Sequence, residues 1–77
     1  MLAALGSAVN GVGPGTSLAD KVAQALAYLN GGDVPNTCST LTAFINEMQS
    51  QSGKTIPTAQ ATTLIASAQR IRAVLGC

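Results

Sequence analysis

Glycine and proline cut this chain into pieces that leave room for little but helices. The breaks fall at Gly11-Val12-Gly13-Pro14-Gly15, at Asn30-Gly31-Gly32 with Pro35 behind it, and at Gly53 with Pro57 behind it. Each piece between them carries apolar residues at helical spacing. Leu2, Leu5 and Val9 follow i, i+3, i+7 in the first. Leu18, Val22, Ala25, Leu26 and Leu29 form a single stripe in the second. Ser17, with Asp20 three residues on, resembles a capping box at its start, and the glycines after Asn30 close it. The third piece follows Val34-Pro35, with Asn36 as the expected N-cap and Cys38, Leu41, Phe44, Ile45 and Met48 as its apolar face. The fourth opens near Pro57 or Thr58, carries Ala61, Leu64, Ile65, Ala68, Ile71 and Leu75, and ends at Gly76 as C-cap. Nothing alternates with period two for long enough to make a strand.

The fold class that follows is all-α. It is one domain over residues 1–77, a small antiparallel bundle of three long helices plus a short N-terminal one. At this size the core is marginal, and domains below about 80 residues usually need a disulfide, a metal, a partner or very regular packing. The chain has two cysteines, Cys38 and Cys77. A third helix of about 15 residues spans about 22 Å and a fourth of about 18 residues about 27 Å. Folded back as an antiparallel hairpin, they bring Cys38, at the start of one, beside Cys77, just past the end of the other. A disulfide there staples the open end of the hairpin. The competing reading, two independent thiols, leaves the position of Cys77 without a reason.

Composition removes several classes of function. Charged residues make up only 9% of the chain against 47% hydrophobic, which argues against disorder. Lys21, Lys54, Arg70 and Arg72 stand against Asp20, Asp33 and Glu47, a net charge of +1. Four scattered cations do not make the basic stripe that nucleic acid requires, nor a polybasic segment for an anionic membrane. No run approaches the roughly 18 apolar residues of a membrane span. The opening MLAALGSAV lacks a positive n-region and a cleavage pattern, so Met1 reads as a start codon before an excised domain, any targeting signal lying upstream.

Catalytic chemistry is equally thin. There is no histidine, which removes the usual general base and metal ligand and excludes Ser-His-Asp and Cys-His nucleophiles. Nothing pairs two of the three acids at the separation that glycoside hydrolysis needs. Asn30-Gly31-Gly32-Asp33 has a faint look of a calcium loop, but the twelfth residue from Asn30 is Leu41, where a bidentate glutamate belongs. Two cysteines without histidine do not complete a zinc site. Tyr28 and Phe44 are the whole aromatic complement, too few for a stacking platform for sugars. The expectation is no catalytic residue, no metal and no cofactor.

The stretch TLTAFINEMQSQSGKTIPTAQATTLIASAQRIRAVLGC resembles the FIMAH domain, a small helical module of bacterial secreted proteins, often found behind catalytic or adhesive domains. Phe44 and Ile45 match the name-giving motif, while Asn46, Glu47 and Met48 depart from its letters. The Gln51 to Lys54 turn, Ala59-Gln60-Ala61, Leu64-Ile65 and the final Leu-Gly-Cys with the upstream Cys38 agree as well. SLADKVAQALAYLNGGD fits the preceding helix and turn, so the resemblance covers about residues 16–77. It implies secretion, an all-helical fold and a non-catalytic accessory role, and it carries over no ligand. The residues themselves place Phe44 and Ile45 in the core. The functional expectation is therefore an accessory module that binds or positions an extracellular protein or polymer through a helical surface. Glu47, Lys54, Arg70 and Arg72 are its candidate contact residues. The alternative is a structural unit that associates with copies of itself, for which small residues such as Ala59, Thr62, Thr63 and Ala66 permit close helix approach.

Overall fold

The computed structural model describes residues 2–9 and 17–77, with side chains for 4–9 and 17–77. The glycine-rich break expected at Gly11 to Gly15 and the side chain of Leu2 lie outside the described residues. Four helices follow one another: α1 (Leu2–Val9), α2 (Ser17–Asn30), α3 (Val34–Gln51) and α4 (Thr58–Leu75). There is no strand among the described residues, only an isolated bridge between Ser52 and Ile56. α2 packs on α3 and α3 on α4, while α1 touches both α2 and α4 and so closes the ring.

The stripes read from the sequence are the faces that meet. Leu5 and Val9 of α1, Leu18, Val22 and Ala25 of α2, Leu41, Phe44, Ile45 and Met48 of α3, and Ala61, Leu64, Ala68 and Ile71 of α4 form one buried cluster. Leu26, Leu29, Ile65 and Leu75 lie half-buried against it. Phe44, the largest side chain that is fully buried, sits in this core as expected. Two further residues complete the interior. Ile56, in the connection before α4, is fully buried, as is Ala61 at the fourth helical position. That is the arrangement of a hydrophobic staple, which fixes the angle at which a chain enters a helix. Among the described residues Thr37 is the buried polar one. Its hydroxyl donates to the Asp33 carbonyl at 2.8 Å, with the Ala25 carbonyl of α2 at 3.5 Å, so the burial leaves no unpaired group.

The helix ends differ from expectation at two places. α3 begins at Val34, two residues before Asn36, because Pro35 fits within a first turn, where a missing N–H costs nothing. The N-cap is Asp33, whose carboxylate accepts from the Asn36 backbone N–H at 3.3 Å and from Asn36 Nδ2 at 2.6 Å. The Asp33 N–H in turn donates to the Tyr28 carbonyl at 2.8 Å, and that of Gly32, at φ 77°, to Leu29 at 3.0 Å. Those two bonds are the Schellman closure of α2, so one residue ends one helix and caps the next. At the other place, Ser17 is the first residue of α2, and its hydroxyl is used on α3 rather than in a capping box.

α3 and α4 have 18 residues each, so two rods of about 27 Å run side by side and their ends coincide. α4 ends as read, at Gly76 with φ 80°. The Gly76 N–H donates to Ala73 and the Cys77 N–H to Arg72, a second Schellman turn. This turn sends Cys77 back across the start of α3, where it is bonded to Cys38 with the two Cα atoms 5.8 Å apart.

Candidate functional site

The residues singled out by chemistry fall at two ends of the bundle. Glu47 lies on α3 opposite the first turns of α2. Lys21 Nζ donates to Glu47 Oε1 at 2.5 Å and to Ser17 Oγ at 3.3 Å, and Ser17 Oγ donates to the same carboxylate oxygen at 3.0 Å. The Lys21 and Glu47 side chains are only 28% and 20% exposed. The Lys21 hydrogen bond holds the Glu47 carboxyl below its ordinary titration range. Burial opposes that shift, while the Ser17 hydroxyl and the Lys21 charge add to it. A lysine beside a serine can suggest a nucleophile and its base, but here the ammonium is committed to a carboxylate, and the hydroxyl proton points to that carboxylate too. The group stitches α2 to α3. It was not legible as a trio, because its members are 26 and 30 residues apart and meet only when two helices dock.

Lys54 is exposed in the 52–57 connection, at the same end as Glu47. Arg70 and Arg72 stand in the last turns of α4, about 20 Å further along its axis. The four residues therefore do not gather into one cluster. Glu47 takes Lys21, not an arginine, as its ion-pair partner. Arg72 is half-buried, and its Nε is shielded from solvent without a hydrogen-bond partner. Arg70 is exposed. Tyr28 is 38% exposed and Val74 70% exposed, the large apolar side chains that most clearly face outward.

Arg70 also belongs to a concave feature of the surface. A half-open groove of about 340 Å³ runs between α1 and α4, lined by Ala4, Leu5, Ala8, Ser67, Arg70 and Ile71. Leu5 and Ile71 are buried and make its floor, while Ala4, Ala8 and Arg70 are exposed along its rim. Ser67 and Arg70 share a face at i, i+3, but only the docking of α1 on α4 turns that face into a groove wall. Chemically it suits an aliphatic group next to a negative charge. No group of His, Cys, Asp and Glu among the described residues could hold a metal ion, and no described helix is long and apolar enough to cross a membrane. Compared with family models, with curated proteins and with solved structures, the chain finds no match in any of the three.

Proposed function

We propose that this chain is a non-catalytic accessory module of a secreted bacterial protein, binding an extracellular protein or polymer through a helical surface. The observation that carries the reading is the α1–α4 groove, with its apolar floor and Arg70 on its rim. Binding pockets combine an apolar lining with a few placed polar groups, and this groove does so on a small scale. The Cys38–Cys77 bridge supports export, since structural disulfides form and persist in oxidising compartments. The resemblance to the FIMAH domain supports the bacterial and accessory parts of the reading. The test is retention of the oxidised protein on immobilised cell-wall polymers and host matrix proteins, alongside an Arg70→Glu variant of unchanged thermal stability. Retention that Arg70→Glu abolishes supports the reading; no retention on any of them refutes it.

The alternative, a self-associating structural unit, draws on Val74, 70% exposed near the end of α4, and on the exposed small residues Ala59, Thr62, Thr63 and Ala66 of the same helix. Light scattering at high concentration decides it: a strict monomer rules it out.

A further inference from the structure

We propose that the Cys38–Cys77 bridge is a thiol-operated latch on α4: breaking it releases the last turns of that helix from α3 while α2 and α3 stay packed. The inference stands whatever binds the groove, although α4 forms one wall of that groove and the latch would govern its shape.

The argument starts from how unequally the helices are tied. α2 and α3 share the Lys21–Glu47–Ser17 group and, through Thr37, a buried hydroxyl beside the Ala25 carbonyl. α3 contributes Leu41, Phe44, Ile45 and Met48 to the core, whereas half of α4's buried residues are alanines, Ala61 and Ala68. Among the described residues, the side-chain hydrogen bonds of α4 stay inside it, Thr62 to the Thr58 carbonyl and Thr63 to that of Ala59. Among the described residues no ion pair joins it to another helix, and Arg72 Nε has no hydrogen-bond partner. At its start α4 is anchored by the buried Ile56 and the 52–57 connection. At its end, among the described residues, the bridge is the one tie to another helix that is not apolar packing. A helix held firmly at one end and covalently at the other opens from the covalent end once that tie is cut.

The bridge is also open to exchange. Cys77 is exposed and Cys38 half-buried, and a Cβ placed on Gly76 would meet no atom within 4 Å, so the turn carrying Cys77 has free space around it. An incoming low-molecular-weight thiolate attacks Cys77 Sγ, on the more exposed of the two residues. A new S–S bond forms there, the old one breaks, and its electron pair leaves on Cys38 Sγ as a thiolate. A second thiolate attacks the small-molecule sulfur of this mixed disulfide. It frees the Cys77 thiolate and carries away the oxidised small-molecule disulfide. The cysteines are reduced by two electrons and the two thiols oxidised by two.

Two measurements test this on the full chain. Amide hydrogen exchange is followed by mass spectrometry in the oxidised protein, after reduction with a phosphine, and in Cys77→Ser. The expected result is a loss of protection over residues 64–75 at least ten-fold greater than over residues 18–29 and 37–48, in both the reduced protein and the variant. Equal loss in all helices, which would make the bridge a general stabiliser only, overturns the proposal; so does no loss. Brief exposure to glutathione with an acid quench, followed by peptide mapping, is expected to place the adduct on Cys77. An adduct mainly on Cys38 overturns the direction of attack.

Discussion

Removing both cysteines has an effect whose size can be worked from this structure. In Cys38→Ser/Cys77→Ser, the link that closes a loop of about 40 residues is lost. In the chain-entropy account such a loop costs the unfolded ensemble about 13 cal/mol/K, or about 4 kcal/mol at 25 °C. The 77-residue chain should unfold with an entropy of about 0.16 kcal/mol/K near its midpoint, from the usual value per residue. Dividing one by the other puts the fall in Tm at about 25 °C. Small domains of this kind have a total stability of about 5–8 kcal/mol, so the variant should remain folded at low temperature with a thin margin. Thermal unfolding followed by circular dichroism at 222 nm, with the oxidised protein and the double variant side by side, measures the shift directly. Treating the natural protein with a reductant should reproduce it. A fall of less than about 5 °C would show that the unfolded chain gains little freedom when the link is absent, and the reasoning would fail.

Three further outcomes follow from other parts of the structure. Lys21→Met and Glu47→Gln, combined in a double-mutant cycle at pH 7, should give a coupling of about 1 kcal/mol, as for a partly exposed, charge-assisted hydrogen bond. Because the folded-state carboxyl titrates below its ordinary value of about 4.5, this stabilisation is fully present above that pH and fades as pH falls through the folded-state value. The stability difference between natural protein and Glu47→Gln should therefore shrink from pH 7 to pH 3, and a difference that grows on acidification would contradict the pairing. Phe44→Ala should cost about 3–5 kcal/mol by leaving a hole among four helices, enough to unfold the reduced protein at 25 °C by the same circular dichroism measure. Asp33→Ala should cost about 1 kcal/mol in urea unfolding and Asn36→Ala clearly less; the reverse order would restore Asn36 as the cap.

The helices were legible because each carries a stripe at 3.6-residue spacing between strong breakers, and burial follows the stripe closely in α2, α3 and α4. The bridge was legible for a similar reason: two successive helices folded back on each other bring the start of one, with Cys38, beside the end of the other, with Cys77. What could not be read depends on choices made in three dimensions. Pro35 marks either the approach to a helix or its first turn, and only the Asp33 carboxylate reaching the Asn36 N–H decides for the turn. Ile56 lies off any stripe because its burial comes from the path of the connection. Thr37, a polar residue beside the stripe, is buried because its hydroxyl folds back on the Asp33 carbonyl. The pairing of Glu47 with Lys21 was set by which helix docks on which. The groove followed the same logic, since Leu5 and Ile71 were readable as core but not as neighbours.

Asp33 acts as a gauge between two rods. Its backbone finishes α2 and its side chain starts α3, so the corner contains no slack residue. One residue inserted there would pull these duties apart and turn α3 out of phase with α2 by about 100°, swinging Phe44 away from the interior. Length changes should be rejected at this corner even where changes of residue type are accepted, and comparison of natural variants of this chain would show it as a position of constant spacing.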